Sequence, residues 1–245
     1  ITLAALLARR AQSGGTAGRY RDDSKIMVIA SIQVKTGGYA GSIAALATSD
    51  GCAGHAIVRR LTQAAVVGRD LADAVHALCA VHGRLTNLFE EANRRPVPDL
   101  DNRWLAEATE AFGVERANLA RLTAAVGPLP STPGQAESDA AFAAQRHAFD
   151  MLARSDRSGC SVGAAMALVI DWHAFRAVLD AAALRTGGTI VPCVLPSAST
   201  ITMLATDTLP APVRRAIAFG AQQTFAQHRG LCDLIEARAS ARDKL

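Results

Sequence analysis

Aromatic side chains are scarce in this sequence, with seven Phe, two Trp and two Tyr in 245 residues. Against them stand 51 alanines. Alanine is the best helix former and a poor strand former, so an all-β architecture is excluded. No apolar run reaches the ~18 residues that a membrane-spanning helix needs, and no membrane partner is expected. Cysteine is sparse and unpatterned, at positions 52, 79, 160, 193 and 232 with no C-x-x-C pair. In a chain of this size, that pattern reads as reduced, buried thiols in a cytoplasmic protein.

Net positive charge is nearly missing from most of the chain. The net charge is +4, and residues 1–26 hold five basic residues against two acidic ones. That stretch carries +3, which leaves +1 for the rest. A basic face is therefore absent, and so is the usual footprint of nucleic-acid binding. Several catalytic signatures are absent as well: no Walker A loop, no G-x-G-x-x-G after a strand, and no Glu-x-x-His pair. The run GCSVG (159–163) has the letters of a nucleophile elbow, but Ser161 lies in a helical context and not in a strand–turn–helix.

What the sequence does contain is helical periodicity. From about Asp50, the residues Ile57, Leu61, Ala64, Gly68, Leu71, Val75, Leu78, His82, Leu85 and Phe89 follow three- and four-residue steps. This predicts a long helix, capped by Ser49 or Asp50, open to a split at Gly83 and stopped by Pro96 and Pro98. A second helix is expected over Asp101–Val126, on the stripe Leu105, Ala108, Phe112, Glu115, Leu119, Leu122 and Val126. A third follows the connection at Gly127–Ser138, with Thr132, Pro133 and Gln135 forming a capping box. Its stripe is Phe142, Gln145, Phe149, Leu152 and Asp156, with an interruption or a bend at Arg157–Gly159. A fourth spans about Cys160–Arg185. Residues 189–205 read as an extended flap, and a last helix starts near Pro212, with Thr224, His228, Leu231 and Ile235 on one face. Over residues 28–48, Val28–Val34 suggests a short strand, Gly37–Gly38 a turn and Ser42–Thr48 a short helix.

These readings add up to an all-α fold: a single up-and-down bundle of about five helices with a short extended flap. The domain occupies 49–245. Residues 1–48 form an N-terminal arm, and Met27 is a candidate native start. Alanine and glycine on the stripes would let helices approach closely.

The runs VGPLPSTPGQAES (126–138) and QRHAFDMLARSDRSGCSVGAAMALVIDW (145–172), with HALCAVHGR (76–84), resemble an uncharacterised alphaproteobacterial all-helical family. The resemblance covers roughly residues 52–195. It implies a bacterial cytosolic α-helical protein and carries no activity, ligand or catalytic residue. Relatives place a His and a Pro-Gly after HGR, where this chain has Leu85, Thr86 and Asn87.

Six polar residues interrupt the apolar stripes: His82, Glu115, Gln145, Asp156, Asp171 and His228. Burying ionisable groups without partners costs several kcal/mol, so these must pair, bind something, or lie outside the core. The favoured expectation is a polar network, such as Glu115 with an arginine or His82 with Asp171. A ligand pocket lined by the same groups is a second, and a core metal ion held by some of Glu115, Asp156, Asp171, His82 and His228 is a third. The ladder Asp73, His76, Cys79 and His82 steps round half the helix, so adjacent members could share an ion but not all four; the plainer reading packs Cys79, buries His82 and leaves Asp73 and His76 in solvent. His55, His147 and His173 fall off the stripes. No cofactor is favoured. The functional expectation is a non-catalytic bundle acting by protein association, with a homodimer open, or by small-ligand binding. The alternative is a carboxylate/histidine metalloprotein, in the manner of an oxidase.

Overall fold

The computed structural model describes residues 39–83, 87–204 and 208–244. The expected strand at 28–34, the turn at Gly37–Gly38, Met27 and Leu85 lie outside the described residues. Within them are nine α-helices, a single 3-10 turn and no strand. They are α1 (Tyr39–Asp50), α2 (Ala56–Leu61), α3 (Gly68–His82), α4 (Asn87–Arg94) and α5 (Arg103–Ala125). After these come α6 (Gln135–Ala153), α7 (Cys160–Arg185), α8 (Ala198–Met203) and α9 (Ala211–Arg242). The all-α expectation holds, with more helices than the five expected. The five expected helices correspond to the longer ones, α3, α5, α6, α7 and α9.

The extra helices come from breaks that the apolar period ran across. The stretch read as one helix from Asp50 to Phe89 is α1's end, a 3-10 turn at Cys52–Gly54, α2, α3 and α4. Gly51 and Gly83 mark two of the breaks, where an added Cβ would sit 2.2 Å from the Ala47 carbonyl oxygen and 2.6 Å from that of Cys79. The capping box at Thr132–Gln135 does not form. Gly134 takes the cap position in the left-handed region at φ 74°, without a side-chain cap, while Thr132 and Gln135 accept hydrogen bonds from arginines of α9. The extended flap expected over 189–205 is non-helical only as far as 197, because the short helix α8, with the Ser197 side chain accepting the Thr200 N–H, occupies its second half.

α7 is the hub, touched by each of the other eight helices. Its apolar residues run round its circumference, as expected of a helix buried on all sides. It is long and apolar enough to cross a membrane, and 78% of that stretch is buried inside the protein. The tightest packing is against α9. A Cβ on Gly163 would lie 1.9 Å from the Ile217 carbonyl oxygen, and one on Gly220 would lie 2.0 Å from that of Cys160. Backbone therefore meets backbone at this crossing, in both directions. Two turns further on, Asp171 of α7 meets His228 of α9, so the two helices run the same way, with α8 and its flanking segments carrying the chain back between them. α3 runs opposite to α9, because Asp73 meets Arg238 while Asp70 meets Arg242.

Gly163→Ala is expected to destabilise the fold by roughly 3 kcal/mol, since neither backbone can yield without reopening the crossing. Gly113 lies inside α5, exposed, with nothing within 4 Å of a Cβ. Gly113→Ala is expected to stabilise by roughly 0.5–1 kcal/mol. Urea unfolding midpoints that shift alike in both variants would contradict the close crossing.

Candidate functional site

The core around α7 holds most of the candidate polar residues. Asp171 projects from the middle of α7 and is 2% exposed. Its Oδ1 accepts the Cys52 backbone N–H at 2.9 Å, and its Oδ2 lies 2.9 Å from His228 Nδ1. A carboxylate can only accept, so Nδ1 of His228 carries the proton. The ring of His82, at the end of α3, lies 5.1 Å from that of His228, centroid to centroid. Phe149, Trp172 and Phe175 surround His82 at 5.4 to 6.1 Å. Both imidazoles are wholly buried. Neither ring nitrogen of His82 has a hydrogen-bond partner, and Nε2 of His228 has none. Burial, with the neighbouring His228 adding to it, holds His82 well below the ordinary histidine pKa and therefore neutral.

Next to this group, the thiols of Cys52 and Cys232 lie 3.5 Å apart. The Cys232 contact, burial and the Asp171 charge all push the Cys52 thiol far above its ordinary pKa. It is protonated and a poor nucleophile.

Glu115 sits on α5, wholly buried, and is fully engaged. Trp172 Nε1–H donates to its Oε2 at 2.9 Å, and Arg176 Nη1 reaches both oxygens at 3.0 and 3.2 Å. Arg176 goes on to Asp180 and to the Val191 carbonyl, fastening the 186–197 segment to α7. The expected pairing of Glu115 with an arginine is therefore present. His82 does not pair with Asp171, because His228 occupies that carboxylate.

Two of the six candidates fall outside the core. Asp156 is exposed in the connection between α6 and α7. α6 stops at Ala153 and Gly159 turns the chain at φ 94°, so the stripe outlived its helix. Gln145 is half-buried and donates to the Gln227 carbonyl at 3.2 Å, joining α6 to α9. Of the five groups considered as metal ligands, Asp171, His228 and His82 lie together, whereas Glu115 is taken by Trp172 and Arg176 and Asp156 is exposed. Among the described residues, the group bringing three ligand-type side chains within 4.8 Å is His55, Asp233 and Glu236. There, His55 Nδ1 accepts the Ile57 N–H at the start of α2, and Nε2 binds Asp233, whose side chain is 71% exposed. A cap and a surface hydrogen bond account for that histidine.

Sequence reasoning missed the largest charged network. Arg238 Nη2 donates to Asp73 at 2.7 Å, and Arg242 donates to Asp73 and to Asp70, each at 2.8 Å. All four residues are buried, so Asp73 does not face solvent. The signal was available: the α9 stripe, carried one and then two turns past Ile235, lands on Arg238 and Arg242.

Along α3, lined in part by Asp73, lies an open groove of about 470 Å³ between α3, the end of α5 and α6. Ala77, Ala80, Phe142 and Leu129 supply apolar wall, and His76, Cys79, Asp139 and Arg146 supply polar groups. Arg146 Nη1 donates to the Ala80 carbonyl at 2.8 Å, and His76 Nε2 binds the Gly127 carbonyl at 2.9 Å. Both side chains are thereby held in place, with Nδ1 of His76 and the remaining guanidinium N–H groups left over. Two shallower grooves, of about 260 and 520 Å³, lie beside α9 and share Phe219.

A family model described as "Family of unknown function (DUF6975)" matches residues 47–243. No curated protein and no solved structure matches the chain.

Because His82 is held below 6.5 in the folded state, the unfolded chain takes up a proton that the folded one refuses. Stability is therefore expected to fall as the pH drops below about 6.5, by up to ~1.4 kcal/mol per pH unit from this residue, and to be insensitive to it above. Denaturation between pH 7 and 5 in chelating buffer checks this, and His82→Leu should flatten the slope. An unchanged slope in that variant would show that His82 does not carry it.

Proposed function

We propose, for a chain that belongs to this family of unknown function, that it is a non-catalytic binding protein whose groove between α3, α5 and α6 takes a small amphipathic molecule. The observation that carries the reading is the lining of that groove. A volume of about 470 Å³ falls in the range of small-molecule sites, which are mostly apolar with a few fixed polar groups. Here the apolar wall comes from Ala77, Ala80, Phe142 and Leu129. Arg146 is pre-set by its bond to the end of α3 and offers its free N–H groups to an anionic or carbonyl end. A nucleophile activated for catalysis finds no support. Ser161 is buried at the α7–α9 crossing, and the Cys52 thiol is held protonated.

The dye 8-anilinonaphthalene-1-sulfonate has the required chemistry, an aromatic body with one anionic group. It is expected to bind with a fluorescence rise. Arg146→Ala should weaken binding about tenfold or more, the value of a charge-assisted hydrogen bond. Ala80→Trp, which fills the groove, should abolish it. Binding that ignores both substitutions while the thermal melt is unchanged would refute the groove as the site.

A further inference from the structure

Cys52 and Cys232 are 180 residues apart in the chain, yet their sulfur atoms stand 3.5 Å from one another and both side chains are buried. Two hydrogen bonds hold the pair face to face. On the inner side, the Cys52 N–H is bonded to Asp171 at 2.9 Å. On the outer side, His55, three residues on, meets Asp233, the neighbour of Cys232, at 3.0 Å. A sulfur–sulfur bond is about 2 Å long, so the pair lies about 1.5 Å short of one. No other two thiols are in contact among the described residues.

From this we infer that Cys52 and Cys232 are a redox-active pair, which closes to a disulfide on meeting a small disulfide such as oxidised glutathione and so locks the turn Cys52–Gly54 onto α9. The turn is the movable half. It is three residues long, Ala53 and Gly54 are exposed, and a Cβ on Gly54 would touch nothing within 4 Å. Cys232 lies inside the 32-residue α9, so local opening falls to the turn. In place, the Cys52 thiol is inert, since Cys232, burial and Asp171 all keep it protonated. Swung outward, it leaves all three behind and regains ordinary thiol reactivity. Its sulfur then attacks one sulfur of the small disulfide, and the first thiol leaves with the proton of Cys52. When the turn closes, the Cys232 sulfur displaces the second thiol, which carries off the proton of Cys232. Two protein thiols become one disulfide, and one small disulfide becomes two thiols. The bond closes a long loop and ties the link between α1 and α2 to α9, so the oxidised fold is the more stable.

The test uses the full chain with Cys79→Ala and Cys193→Ala, which removes the two thiols that are not fully buried. Folded protein is incubated with oxidised glutathione, free thiols are blocked with iodoacetamide, and the unreduced tryptic digest is read by mass spectrometry. The peptides 36–59 and 230–238 should appear joined in most molecules, lighter by two hydrogen atoms than their sum. The thermal midpoint should rise, and dithiothreitol should return it. Cys232→Ser should stop the reaction at a single glutathione on Cys52, and Cys52→Ser should leave Cys232 unmodified. Three results would overturn the proposal: both thiols still free after incubation, a bond from either of them to Cys160, or a cross-link that forms only once urea has unfolded the chain. Should a serine variant fail to fold, the peptide map of the protein with both cysteines decides alone.

Discussion

The contact of backbone on backbone between α7 and α9 is the constraint on which the rest depends. Gly163 and Gly220 remove the side chains that would hold the two helices at ordinary separation. Once they cross there and continue in the same direction, the partners further along are set by helical rise alone. Eight residues on from each glycine lie Asp171 and His228, and they meet at 2.9 Å. One turn more on α9 brings Cys232 to Cys52, and the last turns bring Arg238 and Arg242 to α3. A single face of α9 therefore supplies the crossing, the imidazole, the thiol and both arginines.

Charge neutrality is the second theme. Among the described residues the core buries four carboxylates, and an unpaired charge there would cost several kcal/mol. Arginine answers three of them, each time with further hydrogen bonds that use the guanidinium's fork: Arg176 to Asp180 and Val191, Arg238 to Gln135, Arg242 to Thr132. These side chains fasten the connections as well as the helices, which explains how segments without regular structure hold their places against α5, α7 and α9. The groove assigned to ligand binding lies along α3 and is lined in part by Asp73 itself. Its walls are therefore fixed by a helix already anchored at Asp70 and Asp73.

Much of the architecture was legible in the residues. Leu105, Ala108, Phe112, Glu115, Leu119 and Leu122 are all buried along α5, as their spacing predicted, and α7 spans Cys160–Arg185 as read. Where the reading failed, it failed at helix ends. Asp156 kept the period of the α6 stripe but lay beyond its last turn, and the Ile57–Phe89 stripe ran across two breaks. A period reports which face an atom would occupy, not whether the chain is still helical there, and Gly159 and Gly83 act through local backbone geometry.

The helical class, the identity of the buried faces and the presence of charged groups on them were set by composition and spacing, because those depend only on neighbours three and four residues away. Which charge meets which was decided by the tertiary structure. Asp171 and His228 are 57 residues apart and Asp70 and Arg242 are 172 apart. Glu115 could have met any arginine on a facing stripe. Spacing along one helix carries no information about the register of another, and here that register came from two missing side chains on α7 and α9.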